Sequence, residues 1–96
     1  MEKDFKTVKA GKDFFVRPRK SISDELINIG REGYKRIGLD LTEISYMDSE
    51  AVGLVAYNYV VLHELGKELF IVNANDKIFD VLDRTGLTKI IKVEKI

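Results

Sequence analysis

Apolar and polar positions change their spacing several times along the chain, and each change marks a predicted element. Residues 5–9 and 14–17 are short strand-like runs on either side of Ala10-Gly11-Lys12-Asp13, where Gly11 can supply a positive φ, so an opening β-hairpin is predicted. Pro18 has no N–H to offer a ladder and is placed at the end of the second strand. Ser21 and Ser23 are candidate N-caps of a first helix with Asp24 and Glu25 in its first turn, Leu26, Ile27 and Ile29 as its apolar positions, and Gly30 or Gly33 at its end. Residues 36–41 (RIGLDL) then read as a buried strand, and from Glu50 the pattern turns helical as far as Leu65, with Gly66 as the residue that leaves the helix. Residues 68–73 (ELFIVN) form another buried strand, Asn75 or Asp76 caps a helix through about Thr85, Gly86 stops it, and residues 89–93 give a last strand.

The order β-β-α-β-α-β-α-β predicts an α/β fold in one domain over residues 1–96. Its alternating second half implies parallel strands joined by right-handed helical crossovers, and the opening hairpin makes the sheet mixed. In the 50–65 helix, spacing places Val52, Val55, Ala56, Tyr59 and Leu62 on a face toward the sheet and Glu50, Gly53, Tyr57, Asn58, Val61 and Glu64 on the opposite one. Leu54, Val61 and Leu65 flank that outer face, so the helix is apolar nearly all round and its outer side reads as a partner surface.

Composition removes several kinds of function. The 96 residues carry 16 Lys plus Arg against 16 Asp plus Glu, so the formal net charge is zero and gives no electrostatic hold on nucleic acid or anionic lipid. There is no cysteine and a single histidine, His63, which excludes disulfides, thiol chemistry and the common zinc ligand sets. No cofactor is implied. No apolar run reaches the roughly 18 to 20 residues of a membrane span, and the opening MEKDFKTVKAG lacks the apolar stretch of a secretory signal, which points to the cytoplasm.

Residues 39–54 (LDLTEISYMDSEAVGL) carry the chemical information, because a buried strand and a short loop deliver Asp48 and Ser49 to the start of the longest helix. Unpaired N–H groups and the helix dipole favour a capping hydroxyl there, and would favour a phosphate by roughly 0.3 to 1 kcal/mol. The run D-L-T-E-I-S-Y-M-D-S from Asp40 to Ser49 resembles the signature of STAS domains, especially bacterial anti-sigma factor antagonists. Gly53 takes the second glycine position of that family's Asp-Ser-Ser/Thr-Gly-Leu-Gly turn, Gly66 matches its helix-ending glycine, and FIVNANDKIFDVLDRTGLTKII is similar to its last strand, helix and Thr-Gly-Leu ending. Glu50 stands where the family usually has Ser or Thr, and Ala51 replaces the first glycine of the turn.

The resemblance implies a STAS-like fold and a non-enzymatic switch. In such proteins the serine after the aspartate, here Ser49, is phosphorylated by an anti-sigma factor that is also a Ser/Thr kinase; the unphosphorylated form binds that kinase and frees a sigma factor, and a Ser/Thr phosphatase acts on the phosphorylated form. The partner surface it implies comprises Asp24, Asp48, Ser49, Glu50, Gly53, Tyr57, Asn58 and Val61, and pairing of the outer face with a second copy stays open.

Two other readings stand beside it. In one, Ser49 is only an N-cap and the domain is a constitutive scaffold in a larger regulatory or transporter-associated assembly. In the other, Asp40 or Asp48 accepts phosphate in a small enzyme, against which the sequence offers no acidic pair on its first strand and no G-x-x-x-x-G-K loop.

Overall fold

Strands and helices alternate strictly through residues 5–94, the part of the chain described by the structure, a computed structural model. They are β1 (Phe5–Lys9), α1 (Arg19–Arg31), β2 (Arg36–Asp40), α2 (Ser49–Glu64), β3 (Glu68–Val72), α3 (Asp76–Arg84) and β4 (Val93–Glu94), with single 3-10 turns at Phe14–Val16 and Leu87–Lys89. The sheet has the order β1-β2-β3-β4 and every pair is parallel, with Ile37 opposite Lys6 and Leu69, and Ile71 opposite Val93. Each crossover therefore moves one strand in the same direction, and the right-handed rule sends all three helices to one face.

Side chains on that face form the core. Ile37, Leu39, Leu69 and Ile71 from the strands merge with Leu26 and Ile29 of α1, Val55 and Leu62 of α2, and Ile78 and Leu82 of α3. Strand alternation turns Gly38, Phe70 and Val72 to the other face. There the Arg36 guanidinium sits 4.2 Å from the Phe70 ring centroid and reaches Glu68 at 3.4 Å and Glu94 at 2.8 Å.

The α/β alternation follows the reading of the sequence, and so do the glycine exits. Gly66 follows α2 with φ 79°, and Gly33 follows α1 with φ 99°. Gly30 instead lies inside α1, where an added Cβ would meet Leu62 of α2 at 3.4 Å.

The opening hairpin is not present, and the described sheet is parallel rather than mixed. Only its first strand exists, as the β1 partner of β2. Residues 14–16 turn on themselves instead: the Phe14 and Val16 N–H groups donate to the carbonyls of Gly11 and Asp13 at 2.9 and 3.2 Å. The turn drives Phe14 into the core while Val16 stays exposed, a burial that a flat edge strand would not give. Pro18 is the residue before α1, and its carbonyl accepts from the Ile22 N–H at 3.2 Å, so the helix starts earlier than Ser21. A fixed proline φ suits a helix start, where the missing N–H costs nothing. Ser21 accepts from Arg17 at 3.0 Å and caps nothing. The last strand is the short β4, because Leu87–Lys89 continues the turn after Gly86. Residues 1–4 and 95–96 of the domain expected over 1–96 lie outside the described residues.

Candidate functional site

Parallel strands place the loops 10–18, 41–48 and 73–75 together at the carboxyl edge of the sheet, where α/β folds gather their sites. The 41–48 loop is the one that delivers Ser49. Its start is pinned at Asp40, whose Oδ1 accepts from the Thr42 hydroxyl at 2.6 Å and the Thr42 N–H at 2.9 Å. Ile44 and Met47 sink into the core, leaving Ser45 and Tyr46 exposed between them. At its end Asp48, not Ser49, caps α2: the Ala51 N–H donates to Asp48 Oδ1 at 2.8 Å. Ser49 is thus the first residue of the helix, exposed, and among the described residues no side-chain hydrogen bond is made to its hydroxyl.

Ser49 opens onto a groove of about 580 Å³ between α1 and α2. Each helix contributes residues at the same spacing, i, i+1, i+4, i+5 and i+8: Arg19, Lys20, Ser23, Asp24 and Ile27 from α1, and Ser49, Glu50, Gly53, Leu54 and Tyr57 from α2. Two charges of each sign line it. Arg19 pairs with Glu50 at 3.2 Å across the two helix starts, and Lys20 pairs with Asp24 at 3.1 Å. Both pairs are exposed and each adds under about 1 kcal/mol, so they are free to exchange partners. Tyr57 stands 60% exposed at the far end of the groove, with Val60 beyond it on the open side of α2. On the other side of Glu50 a second depression of about 820 Å³ runs between the 12–19 and 43–48 segments, flanked by the exposed Val16 and Tyr46.

The structure brings Asp24, Ser49, Glu50, Gly53 and Tyr57 of the expected surface to one groove. Asp48 lines the second depression instead. Val61 is half-buried and lines neither. Asn58 is a correction: it is 1% exposed, its Nδ2 donates to the Leu54 carbonyl at 2.8 Å, and its Oδ1 has no partner among the described residues. α2 is covered by the sheet on one side and by α1 on another, so its buried stripe extends through Leu54 and Asn58. Arg19 and Lys20 fall outside the helix that a cap at Ser21 or Ser23 predicts; a helix begun after Pro18 places 19, 23 and 27 on one stripe. His63 stacks on Tyr59 with centroids 6.0 Å apart.

Asp40 is the carboxylate that its surroundings hold below the usual range. The Thr42 hydroxyl is the main cause; burial opposes it, and the Thr42 N–H, the Asn73 side chain and the Lys9 charge add to the lowering. A group favoured in its ionised form by the fold contributes stability above its unfolded value, and that stability is lost as pH falls through the folded value. Acidification below about pH 4 therefore costs the wild type stability that Asp40→Asn does not have to lose. At neutral pH the variant is expected to be less stable by under about 1 kcal/mol, because the Asn amide oxygen still accepts from Thr42 and solvent screens the lost charge. Urea unfolding of both chains between pH 3 and 7 checks this, and identical pH slopes would refute it.

Among the described residues no helix is long and apolar enough to cross a membrane, and no group of three or more His, Asp or Glu is placed to hold a metal ion. Residues 3–95 match the family model of the STAS domain. An anti-sigma-B factor antagonist of Staphylococcus aureus is 30% identical over 91 residues, which span 95% of this chain and 84% of that protein. The STAS domain of a SulP transporter from Vibrio cholerae superposes with a TM-score of 0.79 at 18% identity, covering 98% of this chain and 75% of that one. The anti-sigma factor antagonist SpoIIAA in its unphosphorylated form superposes with a TM-score of 0.65 at 19% identity, covering 93% and 75%.

Proposed function

The chain belongs to the STAS domain family, and from that premise we propose that it is an anti-sigma factor antagonist switched at Ser49. Unmodified, it binds an anti-sigma factor with Ser/Thr kinase activity through the groove between α1 and α2 and so frees a sigma factor. Phosphorylation of Ser49 by that kinase ends the binding, and a Ser/Thr phosphatase restores it. The chain itself performs no catalysis in this scheme.

One observation carries the reading: Asp48 does the capping, so the Ser49 hydroxyl is exposed and has no structural duty at the helix start. A serine that served only as a cap would be the bonded residue. The Staphylococcus aureus relative, an anti-sigma-B factor antagonist 30% identical to this chain, supports the role. Glu50 fits the scheme as well, since its carboxylate is drawn toward Arg19 of the neighbouring helix.

Phosphopeptide mass spectrometry of the protein from its native cells, across growth conditions and with and without phosphatase treatment, tests the proposal. Phosphate on Ser49 whose occupancy changes with conditions is the expected result. Its persistent absence from a well-observed peptide would overturn the switch and leave a constitutive STAS scaffold.

A further inference from the structure

Asn75 makes more bonds than a helix cap requires. Its Oδ1 accepts from the Ile78 N–H at 2.8 Å, the usual capping bond at the start of α3. Its Nδ2 points the other way and donates to two carbonyls of the 41–48 loop, Ile44 at 3.4 Å and Ser45 at 3.3 Å. Asp and Ser cap helices about as well as Asn, but an ionised Asp has no donor, and the single O–H of Ser or Thr sits on the capping oxygen itself, one bond short of where Asn carries its amide N–H groups. Asp48 illustrates the difference: a carboxylate suffices where only the helix must be capped.

Asn73, two residues earlier, acts on the start of the same loop. It takes φ 60°, a left-handed conformation that Asn tolerates better than most residues, and its side chain is among the groups that favour the ionised Asp40 carboxylate. The backbone reinforces the contact, with the Leu41 N–H donating to the Val72 carbonyl at 2.9 Å. The end of β3 and the turn after it therefore hold the Ser49 loop at its first residue through the Leu41 N–H and at its middle through Ile44 and Ser45.

We propose that Asn75 is a positioning residue for the Ser49 loop, and that the 73–75 turn braces this loop so that the start of α2 is presented in one fixed geometry. The brace itself is independent of phosphorylation; its consequence for regulation rests on the Ser49 reading above. Ser45 and Tyr46 are exposed, and between Thr42 and Asp48 the loop is held by the buried Ile44 and Met47 side chains, the Ile44 N–H bond to the Leu41 carbonyl, the exposed Lys9–Glu43 pair and these Asn75 bonds.

Asn75→Ser and Asn75→Asp separate bracing from capping, because both retain an acceptor for the Ile78 N–H, while Asp has no donor and the Ser hydroxyl, one bond shorter than the amide, does not reach the two loop carbonyls. Amide hydrogen exchange on the full chain reads the two apart. The Ile44 N–H, bonded to the Leu41 carbonyl, and the Ala51 N–H, bonded to Asp48, report the loop, while Ile78 and Phe79 report the cap. The loop amides are expected to exchange about threefold to tenfold faster in both variants, with Asn75→Asp the stronger because a carboxylate then faces two carbonyl oxygens, and with the α3 amides unchanged. Unchanged loop protection in both variants would overturn the brace, and so would equal acceleration of loop and α3 amides, which marks a cap and nothing more. Failure of the Ser49 reading is seen separately, as absence of phosphate on the wild-type chain.

Discussion

Ser49→Ala is expected to bind the cognate anti-sigma kinase at full affinity and without release by ATP, while Ser49→Asp binds it about a hundredfold more weakly, a difference of ~3 kcal/mol. The argument begins with the folded state. A charge at the first residue of α2 meets the helix dipole and lies in the groove with Arg19 and Lys20, so phosphate or aspartate leaves the fold as stable as before. Binding changes the balance. Phosphate brings about −1.5 to −2 charges at neutral pH, and an interface laid over the groove must strip its water beside Asp48 and Glu50. Arg19 and Lys20 compensate that charge only by leaving Glu50 and Asp24, which are then the carboxylates left unpaired in the interface. Calorimetric titration of the purified kinase with each variant measures the difference, and thermal unfolding confirms that both variants are folded. Equal affinities would end the mechanism.

The same groove marks what the sequence could and could not convey. Asp40 to Ser49 and Gly66 are close in sequence to the bonds that give them meaning, and their loop, cap and helix exit follow from local chemistry. The rotation of α2 does not. An α-helix that is apolar nearly all round has little periodic contrast, so the sequence alone could not tell that α1 covers Leu54 and Asn58 while leaving Gly53 and Tyr57 open. The Arg19–Glu50 pair joins residues 31 apart, and the Asn75 bonds to Ile44 and Ser45 join residues 31 and 30 apart. Such contacts exist only once the crossovers have placed the helices and loops side by side. The missing hairpin has the same origin, since residues 5–9 had a local partner in sequence but a better one in β2, a buried parallel neighbour.

Gly38→Ala is expected to destabilise the domain by about 1–3 kcal/mol, although Gly38 lies in a strand and carries no motif. An added Cβ would stand 2.7 Å from Cζ of Phe70 and 3.0 and 3.2 Å from two further atoms of the same ring. The ring has little freedom to give way. It is 1% exposed, lies edge-on to Phe5 at 5.8 Å, and holds the Arg36 guanidinium over its face. Pushing it aside also disturbs Arg36, whose salt bridges tie the beginnings of β2 and β3 to β4. On the sheet face away from the helices a buried aromatic ring therefore lies across a glycine. Urea unfolding of Gly38→Ala, Phe70→Leu and the double variant measures this as a coupling. Each single change is expected to destabilise, and the double variant to lose less than the two losses added, because a shorter side chain at 70 leaves room for the methyl group. A wild-type midpoint for Gly38→Ala, or strict additivity in the double variant, would show that the contact does not limit the packing of this face.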